Sequence, residues 1–207
     1  MSEWNEADTA IARLLNRAEI PVDTLQLARF LIGKVLVRVL GEGVAAGRIV
    51  ETEAYVIGDP AGHAYRGVTP RNRALFLERA HAYVYLAYGS SFMLNVSSEA
   101  PGVGAGVLIR AIEPTHGIAI MQRNRGTERV RDLARGPGRL SAALEIDRRL
   151  DGIDLCQAGP LWLGSDDRAF GEIGQGKRIG ITRAADSLLR FYLRGNRFVS
   201  GPQALNR

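Results

Sequence analysis

The sequence predicts an α+β protein with a single domain, built on a mostly antiparallel β-sheet with helices at its periphery. Two observations support this fold class. Short apolar segments are joined in pairs by tight turns, at GEG (41–43) and GSS (89–91), as in β-hairpins. Few helical segments lie between these pairs, which argues against a doubly wound parallel sheet. A chain of 207 residues fits one ordinary domain.

The chain begins with a polar stretch that leads into a helix. Residues 1–20 are predicted to form a polar N-terminal tail that can be mobile, and residues 21–207 to form the domain. Asp23 can cap a helix, which we expect to end near Gly33 because glycine readily adopts the left-handed backbone that follows a helix.

Strands account for most of the remaining elements. The first predicted hairpin pairs residues 34–40 with 45–56, and the second pairs 81–88 with 92–98. The other expected elements, in chain order, are a buried strand over 106–112, a helix that starts near Thr115, and a glycine turn entering a helix over 136–146. Closing strands are expected within 178–183 and 189–200, with the last two strands joined at Gly195-Asn196.

A long loop over residues 57–75 separates the two hairpins. Loops of this length in a compact domain are usually functional or disordered. Three arginines, Arg66, Arg71 and Arg73, lie in or beside it around Pro70. They make contact with phosphates a reasonable expectation for this loop.

The charge composition allows two interpretations. The net charge is +5, and 25 of the 27 cationic residues are arginine, since Lys34 and Lys177 are the only lysines. Planar guanidinium groups favour phosphates and nucleic acid, but a coding sequence rich in G and C also replaces lysine by arginine. A Schiff-base nucleophile would have to be one of the two lysines or the N-terminal amine.

The sequence offers little for metal or disulfide chemistry and none of the signals for a membrane protein. Cys156 is the single cysteine, so an internal disulfide and a four-cysteine zinc site are excluded. The histidines, His63, His81 and His116, lack metal-binding spacing, and we expect no cofactor. The start is acidic and no apolar run is long enough to span a membrane, which predicts an intracellular protein of the cytoplasm or nucleoid.

The segment IVETEAY (49–55) places two carboxylates on one face of a predicted strand. Side chains alternate along a strand, so Glu51 and Glu53 share a face with Tyr55. At strand rise the two carboxylates lie about 6 to 7 Å apart and repel each other. A solvated edge strand tolerates this repulsion, whereas a catalytic site can use it.

The second hairpin carries three of the six tyrosines. Tyr83 and Tyr85 share one face, while Tyr88 lies on the other face beside the turn. Tyr83 is equally compatible with a hydrophobic edge packed on a helix. A tyrosine next to Gly89 is harder to place in a core, and an exposed aromatic side chain on a basic protein can act as a wedge between bases in the minor groove.

These residues suggest a chemistry when taken together. A base extruded from a duplex needs stacking faces, which Tyr55, His63 and Tyr85 can supply. A cationic alkylated purine would bind such faces more strongly. Cleavage of its N-glycosidic bond needs a carboxylate that orients or deprotonates water, for which Glu51 and Glu53 are both candidates, and a nearby cation such as Arg110 would keep that carboxylate ionised.

Several segments resemble the alkyladenine (3-methyladenine) DNA glycosylase family. They are GRIVETEAY, HAYRG, TPRNR, YVYLAYG, FMLN, VLIRAIEP, GPGRL and LRFYLRG, in order from about residue 25 to 200. The resemblance implies a curved sheet, a protruding DNA-intercalating β-hairpin, and one catalytic DNA glycosylase domain over residues 21–207. It also implies a monomeric, monofunctional, metal-free enzyme that removes alkylated or deaminated purines from double-stranded DNA.

The resemblance assigns roles to individual residues. It implies that Glu53, rather than Glu51, activates the water and that Arg110 helps to hold this water. Tyr55 and His63 would stack on one face of the flipped base and Tyr85 on the other. The remaining implied positions are Asn95, which would exclude guanine by crowding its 2-amino group; Tyr88, which would fill the gap in the duplex; and Arg66, Arg71, Arg73 and Arg139, which would bind DNA.

Two departures from the family pattern affect this transfer. Ser90 and Ser91 follow the hairpin Tyr-Gly where relatives often carry a bulky side chain, so Tyr88 would be the only wedge and flipping would be weaker. Arg139 stands where a lysine is familiar, and the two cations bind phosphate with different geometry. Glu51 receives no catalytic role; we expect it to be structural, paired with an arginine such as Arg48 or Arg71.

Two other functions remain open at this stage. One is a nucleic-acid-binding module that recognises bent or unpaired DNA without catalysis. The other is an enzyme that acts on free nucleosides or sugars with paired carboxylates. The basic loop and Tyr88 argue against the second alternative, and strong salt dependence of DNA binding would argue further against it.

Overall fold

The computed structural model describes residues 11–202, in which nine strands form one open, mostly antiparallel sheet flanked by three α-helices. The helices are α1 (Thr24–Leu31), α2 (Ile118–Arg125) and α3 (Pro137–Ala143). The strands are β1 (Arg13–Leu14), β2 (Val35–Leu40), β3 (Gly43–Tyr55), β4 (Ala82–Ala87), β5 (Ser91–Ser97), β6 (Gly106–His116), β7 (Leu161–Ser165), β8 (Ile173–Gly176) and β9 (Arg190–Leu193).

Strand β3 lies at the centre of the sheet. The main path runs β1-β7-β2-β3-β6-β5-β4, with β8 and β9 added beside β3. β6 pairs along one edge of β3, so β2 and β9 share the other edge, β2 on its first half and β9 on Glu51–Glu53. Register shifts between β3 and β6 at Ala46/Gly47 and on both sides of Glu51 are β-bulges, which bend a strand and increase its twist.

The main core lies between the sheet and the three helices, and α1 is its best-defined helix boundary. The side chain of Asp23 accepts a hydrogen bond from the backbone N–H of Gln26 at 2.8 Å, which confirms the predicted helix cap. Leu27 and Leu31 of this helix are completely buried in the main hydrophobic cluster. Thr52 Oγ1 donates to the Ala28 carbonyl at 2.9 Å, so the middle of β3 is tied to the helix.

The predicted hairpins are confirmed, while other boundaries are corrected. β6 continues through His116, so the helix expected near Thr115 begins at Ile118, after Gly117 reverses the backbone at φ 65°. Sequence analysis missed β7, β8 and the short β1. Residues 1–10 of the expected tail lie outside the described residues, and its remainder contains β1 and the 3₁₀ turn Arg17–Glu19.

The expected closing strands over 178–183 and 197–200 were wrong. Residues 190–193 do form β9, but it pairs with β8 and β3. The backbone N–H groups of Ile179 and Ser200 donate instead to carboxylates, those of Glu53 and Glu51 respectively. At these two positions a side-chain carboxylate therefore accepts the hydrogen bond that the backbone carbonyl of a neighbouring strand would accept in a sheet. No helix within residues 11–202 is long and apolar enough to cross a bilayer.

Candidate active site

Glu53 is a fully buried carboxylate near the C-terminal end of β3, held by two hydrogen bonds and one ion pair. The backbone N–H of Ile179 donates to its Oε1 at 2.7 Å, and Arg110 Nη1 lies 3.1 Å from the same oxygen. The Tyr55 hydroxyl donates to Oε2 at 3.0 Å. The solvated-edge interpretation of this strand was wrong, because Glu51 and Glu53 both have no exposed surface and β3 is paired on both edges.

The environment of Glu53 makes it more basic than an ordinary glutamate. Burial raises the pKa of its carboxyl group, and the nearby carboxylate of Glu51 raises it further. Arg110 and the Ile179 N–H oppose this shift without cancelling it. A buried carboxylate with a raised pKa is suited to act as a general base.

Glu51 has the opposite electrostatic balance although it lies two residues away. Its Oε1 accepts from Arg190 Nε at 2.6 Å and from Arg110 Nε at 3.1 Å, and its Oε2 accepts from the Ser200 N–H at 2.7 Å. Burial disfavours the charge, but the two guanidinium groups outweigh it, so the pKa of Glu51 is lowered.

The expected partners of Glu51 were wrong. Arg48 binds Asp166, with 2.6 Å between Nη2 and Oδ2, and Arg71 donates to the Leu86 carbonyl near the ring of Tyr85. The actual partner Arg190 comes from β9, which lies along the same edge of β3 as β2. Because 139 residues separate Arg190 from Glu51, no local pattern in the sequence indicates the pairing.

Arg110 connects the two carboxylates. Its side chain is 8 % exposed and reaches Glu53 through Nη1 and Glu51 through Nε. Burial lowers the pKa of the guanidinium, but the two carboxylates raise it by more, so the net shift is upward. The predicted association of Arg110 with a carboxylate of IVETEAY therefore has a defined geometry in the structure.

A cavity of about 160 Å³ with aromatic walls is lined by Tyr55, whose hydroxyl donates to Glu53. Tyr55, His63, Tyr85 and Asn95, which sequence analysis selected, all line it. The rings of His63 and Tyr85 meet edge to face with centroids 4.3 Å apart, and those of Tyr83 and Tyr85 stack at 5.4 Å. The aromatic face predicted for the second hairpin is thus the wall of this cavity.

The polar groups of the cavity wall are fixed by mutual hydrogen bonds. His63 Nδ1 lies 2.9 Å from the Tyr83 hydroxyl, and burial together with the charge of Arg71 lowers the pKa of His63, which favours the neutral ring. Burial raises the pKa of Tyr83 to about 12, so its hydroxyl stays protonated. The side-chain amide of Asn95 donates to the Tyr83 carbonyl at 3.4 Å.

The surface around the cavity mouth is aromatic and cationic. Tyr88, at the tip of the β4–β5 hairpin, is 88 % exposed and has φ 52°, a backbone conformation that is uncommon outside glycine. An adjacent wider cavity is lined by Arg66, Arg71 and Arg183, of which Arg183 was not predicted. Arg73 and Arg139 are also exposed, and Arg139 Nη1 lies 3.5 Å from Asp132.

Sequence analysis missed the residues that reach the site from the C-terminal third of the chain. They contribute backbone groups or contacts between distant segments, and neither is visible in a motif. The RIGITR segment was noticed, but it was interpreted as a strand. The missed residues are Ile179, which binds Glu53; Arg190 and Ser200, which bind Glu51; and Arg178, whose guanidinium lies 4.7 Å from the ring of Tyr55.

The fold and the site, with their buried carboxylate beside an aromatic cavity on a cationic surface, define the class of protein: it is a DNA glycosylase, a hydrolase that acts on N-glycosidic bonds. The family model for methylpurine-DNA glycosylase matches residues 18–197. The chain therefore belongs to the methylpurine-DNA glycosylase family.

Curated relatives with high identity agree with this membership. A protein of Mesorhizobium japonicum is 71 % identical, and the match covers 91 % of each chain. Relatives from Paraburkholderia phytofirmans and Methanoculleus marisnigri are 50 % and 48 % identical, over 92 % and 86 % of this chain and 90 % and 94 % of their own. All three carry the provisional name 3-methyladenine DNA glycosylase.

Proposed function

We propose that this protein is a monofunctional base-excision-repair glycosylase that flips damaged purines out of duplex DNA. Its substrates would be purines of the 3-methyladenine, 7-methylguanine, hypoxanthine and ethenoadenine class. Glu53 would activate a water molecule that hydrolyses the N-glycosidic bond and leaves an abasic site. The names of the relatives support the methylpurine part of this range.

The observation that carries the proposal is the environment of Glu53. The carboxylate is buried, its pKa is raised, and its geometry is fixed by Arg110, Ile179 and Tyr55. A general base of this kind contributes about 10² to 10⁴ in rate. A water molecule within reach of Glu53 and Arg110 could attack the sugar carbon from the side opposite the departing base.

The chemical step balances without any further reactant. The water oxygen forms a bond to the anomeric carbon while the N-glycosidic bond breaks and its electron pair leaves with the purine. The proton lost by the water passes to Glu53. A purine that already carries a positive charge through alkylation leaves as a neutral base, whereas hypoxanthine or ethenoadenine leaves as an anion that then takes a proton from solvent. The cationic purine is therefore the easiest substrate for this site.

The cavity wall supports recognition of a flipped base. Tyr55 and His63 would contact one face of the purine and Tyr85 the other, after the rings of His63 and Tyr85, which lie 4.3 Å apart, separate to admit the base. Asn95 lies on this wall with its amide held by a backbone carbonyl, where it would crowd the 2-amino group of guanine.

The surface supports binding of duplex DNA. Tyr88 would enter the gap left by the flipped nucleotide, and Arg66, Arg71, Arg73 and Arg139 would contact the phosphates. We further propose that the enzyme acts as a monomer and that it works on DNA inside the cell, in the cytoplasm or nucleoid.

The positions of the two lysines support a hydrolytic reaction without a lyase step. A lyase reaction needs an amine that forms a Schiff base at the sugar. Lys34 Nζ lies 3.3 Å from Ser165 Oγ and 4.8 Å from the centroid of the Phe30 ring, and Lys177 Nζ lies 2.6 Å from Asp186. Neither lysine lines the aromatic cavity.

The test is single-turnover release of hypoxanthine, ethenoadenine and 7-methylguanine from duplexes that each carry one lesion. Wild type should release base, Glu53→Gln should bind the same duplexes without cleaving them, and Glu128→Gln, which changes an exposed glutamate, should behave as wild type. Binding without cleavage by wild type would contradict the proposal and favour a non-catalytic DNA-binding module. An abasic product that is further cleaved at the sugar would contradict the monofunctional part.

A further inference from the structure

A second buried ion pair lies next to the segment that donates a hydrogen bond to Glu53, the proposed catalytic base. Arg178 and Asp59 have side chains that are 0 % and 2 % exposed. Arg178 uses both terminal nitrogens on Asp59, with Nη1 on Oδ2 and Nη2 on Oδ1 at 3.2 Å, and Nη1 also donates to the Ala54 carbonyl at 3.0 Å. The pair therefore joins the loop after β3 and the segment after β8 to the end of β3 itself.

Two groups of the active site are attached to this pair. Ile179, the residue after Arg178, donates its backbone N–H to Glu53 Oε1 at 2.7 Å. The guanidinium of Arg178 lies 4.7 Å from the centroid of the Tyr55 ring. Tyr55 and Ile179 both line a second cavity that also reaches Arg110, whereas Arg178 is buried and does not line it.

The segment that carries Ile179 has little other support. Residues 177–189 contain no strand and no helix. Its far end is attached to the sheet, because the Ala54 N–H donates to the Leu189 carbonyl at 2.8 Å. The described polar contacts between these two ends include the exposed Lys177–Asp186 pair and the local bond from Ser187 N–H to the Ala184 carbonyl. The Asp59–Arg178 pair is therefore the buried ion pair next to the Ile179 amide that donates to Glu53.

We propose that Asp59 and Arg178 form a positioning pair for the glycosylase reaction. The pair holds the Ile179 N–H on Glu53 and holds the ring of Tyr55 at the cavity wall, while neither residue touches the substrate. Fixing donors in place before the substrate arrives avoids the cost of organising them during the reaction. This inference rests on the proposed role of Glu53 as general base.

The pair should also influence the titration of Glu53. The groups that face this carboxyl are Arg110 from β6, Glu51 and Tyr55 from β3, Tyr85 from β4, and the Ile179 N–H. If the pair is removed, Arg110, Glu51 and Tyr85 remain in place, whereas the Ile179 N–H loses its attachment and the Tyr55 ring loses the guanidinium packed against it. The pKa of Glu53 should then rise, because one of its donors to the charged form is lost.

The experiment replaces both partners, since removal of one alone would leave a buried charge without its partner and endanger folding. The variant is Asp59→Asn with Arg178→Met. The matched control is Asp166→Asn with Arg48→Met, which removes a largely buried pair elsewhere on β3. Arg178→Lys is a milder change, because lysine keeps the positive charge but cannot form the bidentate contact that arginine makes with the two oxygens of Asp59. Thermal unfolding establishes that each variant is folded.

The first measurement needs no catalysis. Glutamate carboxyl carbons are labelled and titrated by NMR, and the Glu53 signal is the one missing from Glu53→Gln. The double variant should shift the Glu53 titration upward by about one pH unit or more, as expected for the loss of a hydrogen bond to a charged acceptor. Arg178→Lys should shift it by less, and the control pair should leave it unchanged.

The second measurement is the pH dependence of single-turnover hypoxanthine release. The acidic limb should move upward with the NMR titration in the double variant, at unchanged affinity for the duplex. An unshifted Glu53 titration with wild-type release would overturn the inference. If the double variant does not fold, the same two measurements are made on Arg178→Lys, and an unshifted Glu53 titration with wild-type release overturns the inference. If wild type releases no base, the proposed function fails, while the NMR titration still decides whether the pair positions Glu53.

Discussion

Arg110 Nη1 lies 3.1 Å from Glu53 Oε1 in the buried interior of the protein. This contact joins a cation that is always charged to a carboxylate whose burial would otherwise favour the protonated form. The same guanidinium also reaches Glu51, so its position is fixed from two sides. The catalytic candidate and the structural carboxylate thus depend on one arginine.

Substitution of Arg110 should affect stability and catalysis together. Arg110→Met leaves two buried carboxylates without this partner, which should cost about 3–5 kcal/mol of unfolding free energy. The same change should raise the pKa of Glu53 and reduce base release at neutral pH. Chemical denaturation and single-turnover rates are the measurements, with Arg48→Met as a control that removes a different arginine contact on β3. Full activity in a destabilised Arg110→Met protein would contradict this account.

Glu51 and Glu53 should contribute to stability with opposite pH dependence. The folded-state pKa of Glu51 lies below its ordinary value of 4.5, so its contribution is present above that pH and is lost as the pH falls through the folded-state value. The folded-state pKa of Glu53 is raised, so its protonated form stabilises the fold at low pH and this contribution is lost as the pH rises through the folded-state value.

Matched glutamine substitutions test this contrast. At neutral pH, Glu51→Gln should destabilise the protein by about 3–5 kcal/mol, since it removes a buried charge that two arginines need. Glu53→Gln should be at least as stable as wild type, because a neutral side chain is easier to bury. Denaturation over a range of pH is the measurement. If Glu51→Gln stays stable while its base release falls below a hundredth of wild type, Glu51 is catalytic rather than structural.

Local patterns were enough to predict one half of the site. Glu53 and Tyr55 share a strand face because of strand periodicity, and Tyr85 follows from the same rule on the next hairpin. The other half depends on long-range contacts. Ile179 and Ser200 bind the two glutamates 126 and 149 residues along the chain, through backbone N–H groups that any residue type carries. Such contacts leave no signature in the side-chain pattern.

The fold shows the same division. Hairpins with short turns and the capped helix α1 were predicted, since their determinants lie within a few residues. β8 and β9 were not placed correctly, because their pairing depends on where β2 ends along the edge of β3. The bulges around Glu51 could not be inferred either, since register across β6 is a property of the assembled sheet.

The Tyr55 hydroxyl should matter separately from the Tyr55 ring. Tyr55→Phe keeps the stacking face and removes the bond to Glu53 Oε2. Base release should fall by about tenfold or more, the effect of losing a hydrogen bond to a charged acceptor, with affinity for lesion DNA retained. Tyr85→Phe is the matched control because Tyr85 lines the cavity without being a described donor to Glu53. Equal losses in the two variants would argue against a role for the hydroxyl.

Asn95 should determine how well purines with a 2-amino group are accepted. Asn95→Ser shortens a buried side chain on the cavity wall and gives more space. Release of 7-methylguanine should rise relative to hypoxanthine, which lacks the 2-amino group, by about tenfold or more. The ratio of the two single-turnover rates is the measurement, and hypoxanthine serves as the internal control. An unchanged ratio would mean that Asn95 does not crowd this group.

Tyr88 should act on DNA and have little influence on the fold. Its side chain is 88 % exposed, so Tyr88→Ala should change stability by about 0.5 kcal/mol or less. Stacking between a base and an aromatic ring is worth about 1–3 kcal/mol, so the flipping equilibrium should weaken by a similar amount. The fluorescence change of ethenoadenine during flipping measures this equilibrium in stopped flow.

Ser90→Met adds a bulky apolar side chain beside Tyr88 and should restore part of the loss, because a second wedge fills the same gap. Wild-type flipping by Tyr88→Ala would instead assign the wedge to another residue at the cavity mouth.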